Sequence, residues 1–126
     1  MGLVKEIPLS NKLVLEVWDH SRIIAADTTK VELSLKIKVA VKEEYFDNPG
    51  HFEMVTKAFG EEIVYEYRKE RSFVNNNKKE TIFNELLEDF TQSTLPYLDK
   101  PNFPSRFVLS KLSDILKRPH RYGNLS

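Results

Sequence analysis

The clearest pattern along the chain is the alternation in KVELSLKIKVAVK, residues 30–42. Val31, Leu33, Leu35, Ile37, Val39 and Val41 fall on one face, and Glu32, Ser34, Lys36, Lys38, Ala40 and Lys42 on the other. A period of two predicts a half-buried strand with one wet face, the kind found in antiparallel sheets. The preceding NKLVLEVW, 11–18, alternates through Leu13, Leu15 and Val17, and RIIAA, 22–26, continues it. ADTT, 26–29, supplies turn chemistry, because an Asp side chain bonds the backbone just ahead of it. Residues 12–42 therefore read as one long hairpin.

Register tests that hairpin. A two-residue turn at Asp27-Thr28 sets Ile24 against Val31 but turns Glu16 to the buried side opposite Val39. A three-residue loop pairs Val17 with Val39 and Leu15 with Val41, and takes Ile24 off the apolar face. One inserted residue reconciles both ends, so the pattern predicts a β-bulge at Asp19–Ser21.

Beyond the hairpin the period changes. DNPGHFEMVTKAFG, 47–60, has Asn48 to cap, Pro49 at the first helical position and Gly60 as a stop, with Phe52, Val55 and Phe59 on one side. EEIVYEYRKERSFV, 61–74, alternates again through Ile63, Tyr65 and Tyr67, and its charged end, Arg68 to Arg71, suits a sheet edge. A parallel return would have to retrace roughly 43 Å of strand. The helix supplies roughly 16 Å and its flanks about 17 Å more. The third strand is therefore expected to be antiparallel. NKKETIFNELLEDFTQSTL, 77–95, carries a helical stripe of Ile82, Phe83, Leu86, Leu87 and Phe90, with Asn77 and Glu80 spaced as a capping box. Three prolines interrupt 96–104, and SRFVLSKLSDILK, 105–117, is a further helix that Pro119 ends. Its core candidates are Phe107, Val108, Leu112, Ile115 and Leu116.

The expected fold is thus α+β and two-layered: an antiparallel sheet of three to four strands, a long N-terminal hairpin plus a third strand, against two to three helices. At 126 residues it is read as one domain, with an N-terminal arm, 1–10, and a C-terminal tail, 118–126, expected to be flexible.

Composition removes functions more readily than it adds them. There is no cysteine, so disulfides, thiolate catalysis and Cys-type zinc sites are excluded. Nineteen basic residues balance nineteen acidic ones, which argues against a nucleic-acid binder and for self-association. No apolar run approaches the ~20 residues of a membrane helix, and the start lacks a signal-peptide core, so a cytoplasmic chain without membrane attachment is expected. His20, His51 and His120 show no metal-ligand spacing, and four unclustered glycines make no phosphate loop. No metal or cofactor is expected. Glu85, Glu88 and Asp89 read as a solvated helix face. From residue 101 onward five basic residues face the single acid Asp114, which makes an anion-binding tail a minor reading.

Asp19, His20 and Ser21 are the residue types of a hydrolase triad. Neighbours on a strand point to opposite faces, however, and no G-x-S-x-G turn surrounds Ser21. The cluster is better read as a place where a bulge aims Trp18, His20 or Arg22 at a ligand or partner, with the amphipathic Tyr65 and Tyr67 as further contacts. No motif names a family; the overall pattern resembles that of small bacterial domains. The function expected is a non-enzymatic interaction or scaffolding domain binding itself, as a homodimer, or another protein. The alternative is a small-ligand binder, or an enzyme, with a pocket near residues 18–22.

Overall fold

The computed structural model describes residues 2–122. Its strands are β1 (Gly2–Pro8), β2 (Val14–Asp19), β3 (Arg22–Ala25), β4 (Thr28–Ala40) and β5 (Glu62–Asn75). Its helices are α1 (Pro49–Phe59), α2 (Lys79–Ser93), the single turn α3 (Leu95–Leu98) and α4 (Phe103–Lys117). The five strands form one antiparallel sheet, and the class is α+β.

β4 is the central strand. β2 and β3 lie end to end along one of its edges, and β5 along the other. The alternation is realised as read: Val31, Leu33, Leu35, Ile37 and Val39 are fully buried, and so are Leu15 and Val17 beside them. Each such side chain withdrawn from water contributes about 1.5–3 kcal/mol.

Three expectations are corrected. Residues 2–8, read as part of an arm, form a strand: β1 pairs antiparallel with β2, Gly2 opposite Asp19 and Pro8 opposite Val14, and is added to the hairpin. The turn beyond β1 is tied down from elsewhere in the chain. Ser10 donates through its amide and hydroxyl to the Asp99 carboxylate, and the Asn11 amide donates to the carbonyls of Leu98 and Lys100.

Second, no residue is inserted at Asp19–Ser21. Asp19 faces Leu33 and Arg22 faces Lys30, so the register passes through the break unchanged. The register shift lies beside the turn, between Ile23 and Ala25, and makes Ile24 the extra residue. The turn itself falls one residue earlier than expected, with Ala25 opposite Thr28. A second shift, between Leu3 and Lys5, makes Val4 extra in β1. Bulges near strand ends raise local twist and re-aim side chains.

Third, Asn77 does not cap α2. The helix starts at Lys79, and Asn75 instead accepts from the Asn77 amide in a preceding 3₁₀ turn. By contrast Asn48 does cap α1, accepting from the Gly50 amide, with Pro49 in the first turn and Gly60 at φ 88° after its end.

The described residues divide into two compact units, one within 1–37 and 65–100 and the other within 38–64 and 101–126. In the first, α2 buries Phe83, Leu86 and Phe90, and Tyr67 of β5 packs against Phe90 with ring centroids 5.1 Å apart. In the second, α1 contributes Val55 and α4 contributes Phe103, Val108, Leu112 and Ile115, while Leu116 is exposed. The tail is held as far as it is described. Pro119–Tyr122 forms a 3₁₀ turn, the Tyr122 hydroxyl donates to Asp114, and its ring meets Phe59 edge-on. The rest of the expected tail, 123–126, lies outside the described residues.

Candidate functional site

The site is built around the break between β2 and β3. His20 still donates its amide to the Glu32 carbonyl at 2.9 Å, as a regular ladder requires. The Glu32 amide, however, donates to the Ser21 hydroxyl at 3.1 Å. Asp19 in turn accepts from the Ser21 amide at 2.9 Å. Two side chains thus stand in for backbone groups, and the amides of His20, Ser21 and Glu32 are all bonded across the break.

Beside this break opens a cleft of about 570 Å³. Val4 from the β1 bulge, Ile23 from β3 and Phe83 from α2 give it apolar walls. Asp19, Ser21, Arg22 and Thr29 line it from the hairpin, and Lys79, Glu80 and Asn84 from the first turns of α2. The volume falls in the range of ligand sites, ~300–1,000 Å³. Of the polar lining, Asp19 and Ser21 are engaged as described, and Thr29 donates to Asn76. The side chains of Arg22, Lys79, Glu80 and Asn84 carry no bond to another described residue.

The expected site residues are divided between three places. Arg22 lines the cleft. Trp18 and His20 do not. They share the outer sheet face, their rings stacked at 5.9 Å and 9°. The Trp18 indole donates to Glu16, and the Lys36 ammonium sits 5.2 Å from its ring centroid. This face continues as a charged lattice over β4 and β5. Lys30 pairs with Glu70 at 3.1 Å, Arg68 lies beside both Glu32 and Glu66, and the fully buried Ser34 donates to Glu66. Burial opposes ionisation of Glu66, but the Ser34 hydroxyl and the Arg68 guanidinium hold its carboxyl below the usual range. Tyr65 and Tyr67 belong to neither feature. Both are half-buried, and burial, then Tyr67 and Tyr97, push the Tyr65 hydroxyl up.

Sequence reasoning did not find Val4, Ile23, Phe83, Lys79 or Asn84. Phe83 was legible only as a core residue of α2. Val4 and Ile23 enter the cleft through strand pairing and bulges that no local pattern displays.

Among the described residues, no cluster of three or more His, Asp or Glu is arranged to hold a metal ion. No helix among them is long and apolar enough to cross a membrane. No family model, curated protein or solved structure matches the chain.

Proposed function

We propose that the chain is a non-enzymatic interaction domain whose recognition surface is the cleft between α2 and the β2–β3 break. One observation carries this reading: Asp19, Ser21 and Thr29 are committed to structural hydrogen bonds, and the groups left free at the cleft are long charged side chains and one amide beside an apolar wall. Ser21 has no histidine beside it, because His20 stacks on Trp18 and does not line the cleft, and the Asp19 carboxylate accepts from the Ser21 amide. Nucleophilic catalysis needs a base within hydrogen-bond reach. What remains is an apolar wall with a rim of long charged side chains and one amide, the composition of a binding site. Its partner is another protein, and the chain is taken, on composition, to be cytoplasmic.

Mapping with small probes tests this. Phenol, isopropanol and N-methylacetamide, titrated into the labelled protein, are expected to shift the resonances of Val4, Ile23, Phe83 and Asn84 before any others. Phe83→Ala should enlarge the cleft and change the order of probe preference. Shifts scattered over the surface, or confined to the Trp18–His20 face, would remove the cleft from consideration.

A further inference from the structure

The cleft opens onto a bare strand edge, and that edge identifies its occupant. Glu32 turns its carbonyl toward β2, where His20 donates to it. Backbone groups alternate in direction along a strand, so Lys30, two residues earlier, turns the same way. Its partner Arg22 therefore spends its backbone groups on β4, whereas Ile23, opposite Thr29, turns its N–H and C=O outward. Among the described residues nothing meets them: β1 pairs with β2, and its first described pair sets Gly2 opposite Asp19. Among the described residues, no strand lies alongside β3 on that side.

The other exposed edges are defended. β1 carries Lys5, Glu6, Pro8 and a bulge, and β5 carries Arg68, Lys69, Glu70 and Arg71. Charges, proline and bulges are how proteins prevent unwanted strand pairing. β3 carries Arg22 and a bulge of its own, and it presents Ile23 at 63% and Ile24 at 43% exposure, with Ile23 bordering the cleft. Side-chain charge points the same way. Glu70 of β5 pairs with Lys30 of β4, and Lys30 stands opposite Arg22 of β3, which has no acidic partner among the described residues. An acid in the next lane would complete that cross-strand row.

Building on the cleft reading, we propose that the occupant is an extended peptide segment of a partner protein that adds as a strand to the edge of β3. It runs antiparallel to β3, places an acidic residue opposite Arg22, and directs alternate apolar residues past Ile23 into the cleft against Phe83. Main-chain bonds to Ile23 supply affinity, and the alternation of acidic and apolar side chains supplies specificity.

The test titrates the full chain with acetyl-TEVEVT-amide and with acetyl-TKVKVT-amide. Expected are shifts at Arg22, Ile23 and Ala25, slower exchange of the Ile23 amide, and at least tenfold tighter binding of the acidic peptide. Ile23→Pro removes the outward donor but no bond to β4, and should weaken binding at least tenfold. Ile23→Lys, which leaves the backbone intact, should do the same and decides the matter if the proline variant does not fold. Arg22→Glu should reverse the preference toward the lysine peptide. Binding indifferent to these substitutions, or no binding of either peptide at millimolar concentration, overturns the proposal. So does a dimer of the free chain that Ile23→Lys dissolves, because the occupant is then a second copy. Probe shifts at Val4 and Phe83 without any peptide response would leave the cleft reading standing while the strand reading falls.

Discussion

The Glu32 amide is satisfied by the Ser21 hydroxyl at 3.1 Å, in the position where a regular antiparallel ladder would present the His20 carbonyl. This bond lets β2 and β3 stay in register across a break. Ser21→Ala leaves a part-buried amide without its acceptor and should cost about 1–3 kcal/mol, read as a lowered urea midpoint. Ser21→Thr keeps the hydroxyl and should recover most of that loss. Equal stability of Ser21→Ala and wild type would show that water replaces the hydroxyl.

Trp18 and His20 stabilise the outer face and lie outside the cleft. Trp18→Ala removes the stack on His20, the Lys36 contact and the indole bond to Glu16. The expected cost is about 1–2 kcal/mol, from one aromatic pair and one cation–π contact. Affinity for whatever occupies the cleft should change less than twofold in a titration. A large loss of affinity with an unchanged fold would return Trp18 to the binding surface.

Phe73 sits at φ 58° with 83% of its surface exposed. A left-handed backbone costs a residue with a Cβ roughly 1–2 kcal/mol, and Asn tolerates it better than Phe. Phe73→Asn should therefore raise stability by about 1 kcal/mol in thermal denaturation. Destabilisation would mean that the ring has a packing role its exposure conceals.

The turn after β1 should come loose in acid. The Ser10 hydroxyl and amide hold the Asp99 carboxyl below its ordinary value. A depressed carboxyl stabilises the fold at pH values above its unfolded pKa, and that stability is lost as pH falls through the folded value. Asp99→Ala should thus lie below wild type in urea midpoint at neutral pH, and the gap should close on acidification below about pH 4. A gap independent of pH would assign the effect to packing. Exchange of the Ser10 amide should accelerate over the same range.

Much of the fold was legible because its signals are local. The alternation of β4, the stripe of α2 and the Asn48–Pro49 start of α1 each depend on residues a few positions apart. The tyrosines of β5 were legible as amphipathic residues, but their place against Phe90 and Tyr97 depends on a strand and helices far apart in sequence. The bulge expected at Asp19–Ser21 came from a hairpin turn placed one residue late. Register is a property of a pair of strands, and one misplaced turn shifts every partner.

By itself the sequence determined the α+β class, the wet and buried faces of β4 and β5, and the absence of cysteine chemistry. Hydrophobic periodicity and composition are enough for those. Only the tertiary structure decided that residues 2–8 form a strand, that Asp19 and Ser21 complete a ladder, and that Arg22 and Ile23 border a cleft with Phe83. Each of these depends on hydrogen bonds or contacts between segments distant along the chain or between side chain and backbone. Such bonds satisfy buried polar groups wherever folding brings partners within reach, and residue order alone does not specify which partners those are.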